Sequence, residues 1–222
     1  DQTLYQNHLE ILKEELLVAL GCTEPIAIAY AGAKARQLLG EMPERCVVKC
    51  SGNIIKNVKG VIVPNSGGMR GMDVAATLGI VGGDPERELA VLETVTPEDI
   101  QTTQKLVRQG FCTCELVEGV DNLYIVVELE GGGHTAEIEI QVHHNNITYK
   151  KRDGEVLLTR RPDPNREKKE TGADRMLLNV GNILEFADAV RMEDVEELIA
   201  RQIAYNTAIS DEGLKGKYGV ET

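Results

Sequence analysis

The 222-residue sequence predicts an α+β fold: N-terminal helices packed with a mixed or antiparallel sheet, followed by the start of a C-terminal helical domain. Three observations predict it. Two helical segments open the chain, strand-like alternation fills its middle, and helical periodicity returns after a charged stretch. In the first segment Tyr5, Leu9, Leu12, Leu16 and Leu20 recur at helical spacing, which makes residues 4–20 an amphipathic helix. Gly21-Cys22 breaks it, and the Ala/Ile/Gly-rich run 25–39 reads as a buried helix, so the two form a hairpin with Cys22 at the bend. Val47-Val48-Lys49-Cys50 predicts a strand, and Ile54-Ile55 to Val63 predicts further extended structure through turns. Helices are expected at 70–80, 86–93 and 97–109, the last announced by Thr96-Pro97-Glu98. Residues 112–158 read as an antiparallel meander. Leu123, Ile125, Val127 and Leu129 alternate with mostly polar neighbours, and Ile138, Ile140 and Val142 do the same.

The predicted boundaries are an α+β domain over 1–159, a charged linker or mobile loop over 160–175, and a helical segment over 176–222 that includes Glu193 to Ile209. That last segment has little to pack on after its linker, so a truncated helical domain is the expectation. No internal repeat is visible.

Composition narrows the function classes. A 42% apolar, 27% charged chain is ordinary for a globular protein, and no apolar run reaches membrane-spanning length. A net charge of −12 argues against nucleic acid or an anionic membrane as partner. Five cysteines, an odd number scattered through a long chain, point to reduced thiols. The first residues lack a signal peptide's basic and apolar regions, so a cytoplasmic location is expected.

Cys22 is the first candidate for chemistry. Pro25 suits a helix's first turn and Thr23 or Glu24 can cap it, which puts Cys22 at the positive end of a helix dipole. Thiolate is favoured there, and a thiol that starts near about 8.5 becomes a usable base or nucleophile. A small apolar residue filling a gap is the alternative. The remaining cysteines read as core: Cys46 and Cys50 are four apart on a strand, roughly 13 Å, too far for one tetrahedral metal. Cys112 and Cys114 share a face with Leu116, and no metal ligand set is read in this chain.

Ala-Leu-Gly-Cys-Thr-Glu-Pro at 19–25 resembles the N-terminal signature of the L-cysteine desulfidase family, relatives of the iron–sulfur L-serine dehydratases. Ser-Gly-Asn-Ile-Ile-Lys-Asn at 51–57, Val63-Pro64-Asn65-Ser66-Gly67-Gly68 and His144-Asn145-Asn146-Ile147 follow in the family's order. Asn145 stands where the family has threonine. The resemblance implies an enzyme that eliminates sulfide from L-cysteine to give pyruvate and ammonia, with the Cys22 thiolate taking the Cα proton. It also implies a [4Fe–4S] cluster whose iron polarises the leaving sulfur. Three cysteines of a C-terminal cluster-binding domain would hold it, outside this chain, so this chain alone is expected to be inactive and cluster-free. L-Serine dehydration by the same elimination is the alternative substrate reading. A non-catalytic amino-acid-binding subunit is the alternative class. Homodimerisation is left open.

The remaining candidates are polar runs. Ser51, Asn53, Lys56 and Asn57 suit an amino acid's carboxylate and ammonium, although alone they read as a turn. The resemblance assigns Asn53 and Lys56 to substrate and leaves Asn57 open. Ser66 and Gly67 lie in a Gly-rich turn feeding a helix, which fits a substrate carboxylate or an ordinary loop, and lacks nucleotide-binding spacing. His144 follows Ile138, Ile140 and Val142 at strand parity, so it is expected to face inward and His143 outward. There it serves as a hydrogen-bonded structural group or handles a proton.

Overall fold

The computed structural model describes residues 2–19, 21–160 and 173–216 and divides into two units, Asp1–Leu17 with Asn165–Thr222, and Val18–Pro164. In the smaller unit, helix α1 (Gln2–Glu15) buries Leu9 and Ile11. Tyr5 and His8 meet Phe186 with ring centroids 5.4 and 5.2 Å apart, and the Tyr5 hydroxyl donates to Asp194. These contacts place the first helix with the C-terminal helices, whereas the sequence reading puts it in a 1–159 domain. Most of the expected linker, 161–172, lies outside the described residues, as does Leu20.

The larger unit holds the sheet. Helix α2 (Thr23–Leu39) is followed by β1 (Arg45–Ser51), α3 (Gly52–Lys59), α4 (Met72–Gly82) and α5 (Pro97–Arg108). Strands β2 (Cys112–Val117), β3 (Tyr124–Gly131), β4 (His134–Gln141), β5 (Ile147–Arg152) and β6 (Glu155–Thr159) complete it. The sheet order is β2-β1-β3-β4-β5-β6, with β1 and β2 parallel and every other neighbour antiparallel. The fold is α+β, as the sequence predicts, but the meander begins at β3. Strand β2 crosses over and pairs with β1, a non-local pairing that alternation cannot reveal.

One sheet face is apolar because Val48, Cys50, Ile125, Val127, Ile138 and Ile140 alternate onto it. Ile26 and Ile28 of α2, with Leu78 and Ile80 of α4, cover that face and are fully buried, each worth roughly 1.5–3 kcal/mol. The two helices pack backbone against backbone. A Cβ on Gly79 would stand 2.0 Å from the Ala29 carbonyl oxygen, and one on Gly32 2.8 Å from that of Ala76. Glycine is needed at this crossing for closeness rather than for φ.

Local chemistry corrects three expected elements. The segment after Ser51 is helix α3 rather than extended chain, because Ser51 caps it by accepting from the Ile54 N–H at 3.4 Å and its apolar residues recur at helical spacing. Residues 85–90 form 3₁₀ turns kinked at Glu88 (φ 46°), not the longer helix expected at 86–93. In the smaller unit, α6 (Val180–Ala189) precedes α7 (Met192–Gly213), which runs longer than the sequence reading. Helix α5 begins where expected, with Thr96 and Asp99 forming a reciprocal capping box. Among the described residues no helix is long and apolar enough to cross a membrane.

Candidate active site

Cys22 is the N-cap of α2, yet its side chain makes no capping bond. The thiol donates instead to Glu24 Oε2 at 3.0 Å. Glu24 sits in the first turn of the helix, where the macrodipole favours a carboxylate. From α3, Asn57 Nδ2 donates to Glu24 Oε1 at 3.0 Å, so each carboxylate oxygen holds one donor. His144 lies close enough for its charge and that of Glu24 to influence each other. All four side chains are half-buried, neither sealed from a ligand nor washed by bulk water.

The protonation states follow from these contacts. Burial, and then the hydrogen bond to the Glu24 carboxylate, push the Cys22 thiol above its ordinary value. Burial also pushes Glu24 up, but the Cys22 thiol, a backbone N–H, His144 and Asn57 together hold its carboxyl below the usual range. Burial lowers His144, the nearby Glu24 opposes that in part, and the imidazole is neutral near pH 7. The thiolate expected at Cys22 is therefore corrected. Burial, with the Glu24 carboxylate hydrogen-bonded 3.0 Å from the sulfur, outweighs a dipole worth about half a charge. The resting pair is thiol and carboxylate.

His144 arrives by a different route from the one its parity predicts. Strand β4 ends at Gln141, and Val142, expected inside, is half-exposed with φ 70°. A turn follows, closed by Asn146 N–H to the His143 carbonyl at 3.0 Å and Asn146 Nδ2 to the Gln141 carbonyl at 2.9 Å. That turn aims His144 inward and leaves His143 exposed. A β-branched residue with positive φ is a true backbone outlier, and such strain collects where a neighbouring group must be held in place.

The other expected residues divide. The Ser51 hydroxyl is buried and committed, capping α3 and donating to the Asn122 carbonyl at 2.5 Å. Asn53 and Lys56 are exposed on α3, and Asn53 lies one turn before Asn57 on the same face. The Ser66 hydroxyl is buried and donates to the Met69 carbonyl at 3.1 Å, while Gly67 lies against Ile100. The structure thus brings Cys22, Asn57 and His144 together, and keeps Ser51 and Ser66 as architecture. Glu24 is the member that sequence reasoning treats only as a cap. Its signal is the Cys-Thr-Glu spacing, which turns an acid in the first turn back toward the N-cap.

The remaining cysteines lie on the paired strands β1 and β2. Cys46 and Cys50 are buried on β1, and burial pushes the Cys50 thiol well up, away from the thiolate a metal needs. Cys112 aligns with Cys46 and Cys114 with Val48 across the parallel pair. Cys114 and Leu116 are exposed rather than core, because β2 is an edge strand. Among the described residues no group of three or more His, Cys, Asp or Glu could hold a metal ion.

A thiol, a carboxylate and an imidazole gathered at the start of a buried helix can pass a proton among themselves. No known family model matches the chain. It is similar to a UPF0597 protein of Lachnoclostridium phytofermentans, 42% identical over 98% of this chain and 51% of the relative. A UPF0597 protein of Finegoldia magna is 44% identical over 97% of the chain and 51% of the relative, and one of Treponema denticola 40% identical over 100% and 51%. The chain spans about half the length of these curated relatives. Their name states no activity. It also corrects the family expected from the motifs, since relatives matched along the whole chain are UPF0597 proteins rather than L-cysteine desulfidases. Short runs such as Gly-Cys-Thr-Glu-Pro and Ser-Gly-Asn encode helix starts, and are too brief to separate one family from another.

Proposed function

We propose that this chain supplies the acid–base machinery of a lyase that performs α,β-elimination on a small β-substituted amino acid, L-cysteine or L-serine, to give pyruvate and ammonia. The observation that carries the reading is the Cys22 thiol donating to Glu24 at 3.0 Å, with the second carboxylate oxygen held by Asn57. A Cα proton is weakly acidic and needs a positioned base, and the leaving group needs a proton. The pair provides both in one cycle. Glu24 takes the thiol proton as the Cys22 sulfur takes the Cα proton. The Glu24 carboxyl then gives its proton to the departing sulfide or hydroxide as the Cβ–S or Cβ–O bond breaks. The site ends as it began, with a thiol and a carboxylate. The product, 2-aminoacrylate, tautomerises to the imine and takes up water to release pyruvate and ammonia.

With the thiol held high and the carboxyl low, this internal transfer is uphill in the free site. The thiolate therefore exists only along the reaction path, which spares it from oxidation at rest. Asn57 fixes the carboxylate, neutral His144 adds a second proton acceptor beside it, and exposed Lys56 offers a charge for the substrate carboxylate.

The test uses the protein at the length of its relatives, carrying this segment. Exchange of the Cα hydrogen in D₂O is followed by proton NMR beside pyruvate release. Replacing Cys22 by serine should slow both by about 10²- to 10⁴-fold, with kcat and kcat/KM falling together. Exchange at the unaltered rate in Cys22→Ser would remove the sulfur from the mechanism. Amino-acid binding with neither exchange nor elimination in the unaltered protein would assign the chain a binding role instead.

A further inference from the structure

The β5–β6 end of the sheet runs past the cover of α2, and a cavity of about 400 Å³ opens there. Tyr30 of α2 forms one wall, Ile147 and Leu158 supply apolar surface, and Lys150 and Arg160 bring two cations to the lining. Tyr30 is six residues beyond Glu24, about 9 Å along the helix, and Asn145 and Asn146, which follow His144, complete the lining beside the Cys22 site.

Two features set the cavity apart. The chain has 36 acidic and 24 basic residues, yet among the described residues neither Lys150 nor Arg160 makes a direct ion pair, Lys150 acting on Glu86 only through space. The acids nearby are already engaged. Glu86 accepts from Lys34 Nζ and from Gln37 Nε2, each at 2.9 Å, and Glu88 accepts from Asn145 Nδ2 at 2.9 Å. The Tyr30 side chain is almost fully buried, and that burial, with Glu88 and Glu86 near it, pushes the phenol up to about 12. It stays a hydrogen-bond donor across the physiological range. The backbone of Arg160 is anchored by its N–H to the Thr148 carbonyl at 2.7 Å, which fixes where its side chain starts.

We propose that this cavity is a binding site for a small organic monocarboxylate with a short hydrocarbon body. The carboxylate oxygens take the Lys150 ammonium and the Arg160 guanidinium, the Tyr30 phenol donates to one of them, and the hydrocarbon rests on Ile147 and Leu158. An inorganic oxyanion would satisfy the cations but leave the small apolar patch of Ile147 and Leu158 unused. The site is independent of the elimination chemistry proposed for Cys22 and stands whether or not that reading holds.

The experiment titrates the whole chain with acetate, propionate, butyrate and inorganic phosphate at low ionic strength, followed by amide chemical shifts and calorimetry. Saturable shifts centred on Lys150 and Leu158 are expected, tightening about fourfold for each methylene that reaches the apolar wall. Lys150→Met and Arg160→Met should each weaken butyrate at least tenfold while keeping the circular dichroism of the unaltered chain. Tyr30→Phe, which removes only a hydroxyl, should weaken it a few-fold. The proposal is overturned by no saturable binding, by phosphate binding as tightly as butyrate, or by cation variants that bind like the unaltered chain. Because the readout is binding, failure of the elimination chemistry leaves the result unaffected.

Discussion

Replacing Gly79 by alanine tests how closely α2 and α4 must approach for the larger unit to form. The new methyl carbon would stand 2.0 Å from the Ala29 carbonyl oxygen and 2.6 Å from its carbon, whereas ordinary contact begins near 3.4 Å. The helices must therefore part by about 1.4 Å at their crossing, since a helix backbone cannot rotate aside as a side chain can. Overpacking a core costs roughly 1–3 kcal/mol, and a displacement of this size belongs at the top of that range because the flanking Ile28 and Ile80 contacts loosen with it. Alanine returns about 1 kcal/mol through its better helix propensity. The net loss is about 2 kcal/mol, or roughly 30-fold in the opening equilibrium. Two companions calibrate it. Gly32→Ala meets the Ala76 carbonyl oxygen at 2.8 Å and should lose less, while Gly60→Ala meets nothing within 4 Å and should be near neutral. Native-state amide exchange is the assay, because the most protected α2 amides report opening of this unit alone. Exchange in Gly79→Ala no faster than in Gly60→Ala would refute the close-packing argument.

Alkylation of Cys22 by iodoacetamide should rise through a midpoint above that of a free thiol, and Glu24→Gln should move that midpoint down by removing the carboxylate that raises it; an unmoved midpoint would detach the two groups. The same shift gives a stability sign: the folded thiol holds its proton more tightly, so its contribution is complete below about 8.5 and is lost as pH climbs toward the folded value. Thr96→Ala removes the capping box of α5 and should cost about 1 kcal/mol in chemical denaturation, with no loss expected if the box is ornamental. Val142→Gly relieves a positive φ at a half-exposed side chain and should stabilise the unit by about 1 kcal/mol, measured the same way; a loss would mean that Val142 contributes more by packing than it stores as strain.

What the sequence determined by itself was local. Thr96-Pro97-Glu98 places the start of α5, the alternation of Ile125, Val127 and Leu129 makes β3, and the small apolar residues after Cys22 make α2. Each follows from torsional preference or from which face an apolar side chain must take, information carried within a few neighbouring residues. The same reasoning named Cys22 and His144 as candidates and left Asn57 open, and it expected a thiolate where burial and Glu24 favour the thiol. Tertiary structure decided the rest. Only the fold brings α3 beside the start of α2, so that Asn57, 33 residues away, can fix Glu24. Only the crossover of β2 onto β1 makes Cys114 an exposed edge residue, and only the turn after Val142 brings His144 within electrostatic reach of the carboxylate. The physical reason is range. A helix dipole acts through its own first turn, but a pKa is the sum of burial and of every charge within a few ångströms, whatever its distance along the chain.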